Sequence, residues 1–123
     1  MNQALKRKFN EYNRKYFDGI LPKDTVVDWH YELNQDASGA CHIHGMMKCS
    51  QIPKSYGKCE GKHLILINTR LWDDVEQSYM TLLHEMVHLQ IGLWVTPPKK
   101  SHGPEFQRGM MRLAKAGALA RLW

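Results

Sequence analysis

The amino-acid sequence predicts an α+β domain with an N-terminal helix, a small sheet of about three strands, a central helix carrying His-Glu-x-x-His, and a C-terminal helix. Three observations lead there. Apolar residues recur at helical steps near both ends and between residues 75 and 88, short β-branched runs separate them, and 123 residues suffice for one modest core. One domain spanning residues 1–123 is expected.

Leu5, Phe9, Tyr12 and Tyr16 follow one another at steps of four, three and four, which is one face of a helix from about Asn2 to Phe17. Gly19 should end it in a left-handed conformation, and Pro22 prevents continuation. Val26, Val27, Trp29 and Tyr31 predict a strand between Thr25 and Leu33, and Asp36-Ala37-Ser38-Gly39 predicts a turn. Ala40 to Met47 is a second candidate strand, with His42 and His44 on one face and Cys41 and Ile43 on the other. Lys48 to Lys62 reads as an irregular loop. His63-Leu64-Ile65-Leu66-Ile67-Asn68 is apolar on both faces and predicts a buried strand.

Asp73 or Asp74 should start the central helix, with Glu76 completing a capping box after Asp73. Val75, Tyr79, Leu82, Leu83, Met86 and Val87 form its apolar stripe, and it must end before Pro97-Pro98. Pro104 predicts the first turn of a last helix, with Phe106, Met110, Leu113 and Gly117 along one face.

Composition narrows the function classes. No apolar run is long enough to cross a bilayer, and Met1 to Lys8 lacks the apolar stretch of a secretory signal, so a cytoplasmic protein without membrane contact is expected. Cys41, Cys49 and Cys59 are odd in number and form no Cys-x-x-Cys pair, which argues against a disulfide framework and a zinc ribbon. The net charge of +5 is uneven: residues 1–23 carry six Lys/Arg against two acids, residues 99–123 six against one, and the middle five against nine. Two basic terminal helices make DNA a candidate partner, and solvated amphipathic faces account for the same charges. A monomer is expected.

Positions four apart share one helix face, so His84 and His88 can offer two imidazoles to one metal ion, while Glu85 is set beside them as a base. A catalytic zinc needs a third protein ligand and an open position for water. His102, fourteen residues after His88 and just before the last helix, is the preferred third ligand, with Glu105 as its rival. This set of one Zn2+ ion and Glu85 implies a zinc metallopeptidase: the metal lowers the pKa of its water, Glu85 takes the proton and later passes it to the leaving amine, and a peptide bond is hydrolysed. Protein or peptide substrates follow. Tyr56, Tyr79, His42 and His44 are candidate oxyanion donors, with nothing to choose among them. His42 and His44 near Cys41 and Cys49 match no common ligand spacing, and His30 and His63 read as structural. The competing accounts are two hydrogen-bonded helix-face histidines, a zinc-stabilised nucleic-acid- or protein-binding module, and a small-molecule amidohydrolase.

Four stretches carry a family resemblance: Phe9-Asn10-Glu11-Tyr12-Asn13 with Tyr16-Phe17-Asp18-Gly19-Ile20-Leu21-Pro22; Ser38-Gly39-Ala40-Cys41; Leu64-Ile65-Leu66-Ile67-Asn68 with Leu71; and His84-Glu85-Met86-Val87-His88 followed by His102-Gly103-Pro104-Glu105-Phe106. In this order they resemble the SprT-like metalloprotease domain of the SprT/Spartan family. The resemblance implies a zincin-like fold, zinc on His84, His88 and His102, and Glu85 as the catalytic acid. It also implies a link to DNA–protein crosslink repair, since eukaryotic members degrade proteins crosslinked to DNA and are activated by DNA contact. The C-terminal zinc ribbon of many relatives has no counterpart, so a minimal form is expected.

Overall fold

The computed structural model describes residues 2–30, 39–42, 62–94 and 104–118, with residues 2, 39, 40, 42 and 92–94 described as backbone. The elements are α1 (Asn2–Tyr16), β1 (Val26–His30), β2 (Gly39–His42), β3 (Leu64–Asn68), a 3₁₀ turn (Thr69–Leu71), α2 (Val75–Trp94) and α3 (Pro104–Lys115). The class is α+β.

Helix α1 buries Leu5, Phe9 and Tyr12 as the spacing predicts, and Asn13 beside them is also buried. Both Asp18 and Gly19 are left-handed, with φ of 53° and 71°, and the Gly19 N–H donates to the Asn13 carbonyl at 2.8 Å. The Gly19 stop is therefore as expected, but Asp18 shares the conformation that glycine adopts at lower cost. The Asn13 side chain then clamps the returning chain. Its Nδ2 donates to the Leu21 carbonyl at 3.0 Å and its Oδ1 accepts from the Leu21 N–H at 3.0 Å. Lys6 adds a second tie, donating from Nζ to the carbonyls of Lys23 at 2.7 Å and Thr25 at 2.5 Å.

Strand β3 lies between the other two. It pairs in parallel with β1, with Val27 opposite Ile65 and Trp29 opposite Ile67, and antiparallel with β2, with Cys41 opposite Ile65. All five of its residues are buried, which is why it reads as continuously apolar. Directly paired residues share a face, so Val27, Trp29, Ile65, Ile67 and Cys41 face one way and join the core shared with α1 and α2. Strand β2 begins at Gly39, one residue before the predicted Ala40–Met47, and residues 43–47 lie outside the described residues.

A polar relay carries the chain from β3 into α2. Asn68 Oδ1 accepts from the Arg70 N–H at 3.0 Å, and Asp74 Oδ1 accepts from the Gln77 N–H at 3.0 Å. Asp74 is thus the N-cap, and the position three residues on holds Gln77 rather than Glu76, which corrects the Asp73–Glu76 box. Val75 is a second correction, being 55% exposed, because it precedes the turn on which the stripe of Leu82, Leu83, Met86 and Val87 begins to face the core. Leu89 and Ile91 extend that stripe.

Helix α3 packs on α2 through Phe106 and Leu113, both buried. A Cβ at Gly109 would stand 2.7 Å from Val87 Cγ1, so the absent side chain is what lets the two helices approach. Gly117, predicted on the apolar face, instead ends the helix with φ of 83°. Its N–H donates to the Ala114 carbonyl at 3.1 Å and that of Ala118 to the Leu113 carbonyl at 3.0 Å. That is the Schellman arrangement, and it brings buried Ala118 back onto Leu113. No helix among the described residues is long and apolar enough to cross a membrane.

The Asn13 clamp satisfies two backbone groups in a buried place, so Asn13→Ala is expected to lower unfolding free energy by about 2–4 kcal/mol. Urea denaturation measures it, and a change below about 0.5 kcal/mol would show that the clamp carries no stability.

Candidate metal and catalytic site

Residues 84 to 88 lie in the middle of α2, between buried Leu83 and buried Leu89. Leu82, Leu83, Met86 and Val87 are fully buried while His84 and His88 are half-buried. The rim position follows from the helix period, since His84 and His88 fall on one face and the apolar residues between them on the others. Their Nε2 atoms face each other at 3.2 Å.

That distance permits two chemistries. One Nε2–H can donate to the other nitrogen, given complementary tautomers. Alternatively, two imidazoles each about 2.0–2.1 Å from a tetrahedral zinc stand about 3.3 Å apart, so the pair as placed fits two corners of such a site. Among the described residues no group of three or more His, Cys, Asp or Glu is gathered to hold a metal ion. Glu105, the rival third ligand, therefore does not assemble with the pair from its place in the first turn of α3. His102 lies outside the described residues.

Glu85 points inward from the same turn and is 5% exposed. Burial in apolar surroundings pushes its carboxyl up from the ordinary value to about 8. The His84 Nε2 lies 4.0 Å from Glu85 Oε2, at the outer limit of an ion pair, and does not offset that desolvation. Cys41 of β2 is close enough to respond to Glu85: its thiol is pushed up first by burial and then by the carboxylate's negative charge.

Among the described residues, Phe106 makes two aromatic contacts with the pair. The Phe106 ring stacks on His88 with centroids 4.5 Å apart and planes at 22°, and meets His84 at 4.7 Å and 61°. Sequence periodicity identified Phe106 only as an apolar position; its place four residues after His102 was the signal for more. Cys41 was legible as a strand residue, but its nearness to Glu85 depends on the β2–β3 register.

Of the candidate oxyanion donors, Tyr79 packs edge-on against Tyr12 at 6.5 Å and lines a cavity of about 440 Å³ with Tyr16, Lys8, Val75 and Gly117. That cavity is at the opposite, N-terminal end of α2 and holds none of the metal-site candidates, so the chemistry of the side chains and not the size of the hollow locates the site. Tyr56 and His44, like Cys49, lie outside the described residues, as does the side chain of His42.

These features define a small α+β domain with a paired-imidazole site on its central helix. A profile of the SprT-like family matches residues 5–121, nearly the whole chain. The chain belongs to the SprT-like family. Its membership supports a metallopeptidase-related reading in general terms. Among curated proteins, no individual one matches significantly.

Glu85 gives a pH test on metal-free protein. A carboxyl whose folded pKa is raised binds more protons folded than unfolded, so its stabilising effect is complete below about pH 4.5 and is lost as pH rises through about 8. From pH 5 to 8 the wild type should lose on the order of 3 kcal/mol more than Glu85→Gln, measured by urea denaturation in chelator. Parallel pH profiles for the two proteins would refute the raised pKa.

Proposed function

We propose that this chain is a zinc-dependent endopeptidase of zincin-like architecture, with His84, His88 and His102 holding one zinc ion and Glu85 moving the proton. The observation that carries this is the pair of Nε2 atoms 3.2 Å apart beside a buried carboxyl. His102 is supported as third ligand by chain geometry, since it lies four residues before Phe106, whose ring touches both imidazoles. A zinc ion held there supplies Lewis acidity, which lowers the pKa of water from about 15.7 toward 7 and polarises a carbonyl.

The remaining work falls to the protein. Glu85 accepts the proton of the attacking water as a carboxylate and returns it to the leaving amine. Among the described residues β2 pairs only on its β3 side. Its other edge, next to Glu85 through Cys41, suits an extended peptide added as a strand.

The substrate class we put forward is protein bound or crosslinked to DNA. Among the described residues, exposed Arg7, Arg14 and Lys15 on α1 and Arg108 and Lys115 on α3 are cations that can contact phosphate. Half-buried Lys6 is engaged by backbone carbonyls, and Arg112, though exposed, donates to the Tyr16 carbonyl. A second reading, a binding module in which zinc merely joins two helices, is favoured by the tight α2–α3 contact at Gly109.

The two readings separate on Glu85. Glu85→Gln is expected to keep stoichiometric zinc and to lose 10²-fold or more in cleavage of a DNA-binding protein, whereas His84→Ala loses the metal. Equal cleavage by wild type and Glu85→Gln, or none by either with zinc bound, rejects the peptidase. Cleavage compared with and without DNA tests the substrate class, and DNA affinity that does not fall between about 50 and 200 mM salt rejects phosphate contacts by these helices.

A further inference from the structure

Half-buried imidazoles at a helix rim ordinarily choose among several χ1 and χ2 settings, and a metal must then select one of them at an entropic cost. Here both rings are already engaged. Phe106 lies flat on His88 at 4.5 Å and meets His84 at 4.7 Å, and the two rings are tilted 68° to each other with centroids 4.9 Å apart. Stacking uses the faces of the imidazoles, while at their edges the two Nε2 atoms approach to 3.2 Å. Phe106 is itself fixed, being 5% exposed and carried by a helix that Gly109 seats directly on Val87, one residue from His88.

We infer that Phe106 is a positioning residue for the His84–His88 pair: delivered by α3, its ring holds both imidazoles in the orientation a metal ion requires, so that metal binding and docking of α3 are one linked equilibrium. The inference rests on the metal-site reading above. An imidazole that shares its nitrogen lone pair with a cation becomes more positive, and the negative face of the phenyl ring then attracts it more strongly. Linkage makes the effect reciprocal, so whatever loosens Phe106 weakens the metal and the metal in turn tightens α3.

The test is zinc affinity of the full chain by competition with a chromophoric chelator. Phe106→Leu keeps an apolar side chain but loses the flat ring, and is expected to bind zinc 10–100-fold more weakly, the usual effect of removing a group that orients a ligand. Phe106→Tyr, which keeps the ring, should stay within about threefold of wild type. Zinc should also raise the melting temperature of the wild type more than that of Phe106→Leu. If Phe106→Leu does not fold, Gly109→Ala decides, because it keeps the ring while forcing α3 away from Val87; undiminished zinc affinity in it overturns the proposal. A folded Phe106→Leu that binds within twofold of wild type also overturns it and leaves the metal site standing. Wild-type protein that binds no zinc overturns the metal reading and this inference together.

Discussion

Successive residues on a helix are turned by about 100°, and α2 must serve a core and a surface site within that constraint. With Leu82, Leu83, Met86 and Val87 wholly buried, the histidines can reach the rim only at 84 and 88, and the residue between the first histidine and Met86 is carried inward. Glu85 is buried for that reason. Its altered acidity and the outward placing of the imidazoles are two results of one packing decision, made where α2 crosses the sheet at the level of Cys41.

Periodicity made the elements legible, and the buried character of Leu64 to Ile67 was plain from their composition alone. Single-residue assignments at element ends were less so. Val75 is apolar, yet its exposure depends on where the helix begins, and that start is set by Asp74, which wins over Asp73 because the 3₁₀ turn ends at Leu71 and leaves Asp74 to cap. Gly117 occurs at a helical step and yet closes the helix, a choice made by the contact between Ala118 and Leu113. For the site, His84, Glu85 and His88 were readable from their spacing because it is local. Phe106 and Cys41 reach it through tertiary contacts, which no local pattern encodes.

The basic termini show how charge can mislead when read as a sum. Burial lowers the proton affinity of Lys6, and its ammonium serves two backbone carbonyls while lying 4.8 Å from the Phe9 ring centroid. Lys8 rests over Tyr12 and Tyr79 and pairs with Glu11 at 2.9 Å, an exposed pair of little energetic worth whose main effect is to direct the side chain. Part of the net charge therefore fastens the fold together.

Arg112 of α3 donates to the carbonyl of Tyr16 in the last turn of α1 at 2.6 Å and lies over the Phe17 ring at 5.2 Å. The contact spans 96 positions of the chain. During synthesis the Tyr16 carbonyl of α1 therefore lacks this donor until Arg112, 96 residues later, has been made. The helix that brings Phe106 to the histidines is the same one, so the candidate site is assembled only as α3 docks against α1 and α2.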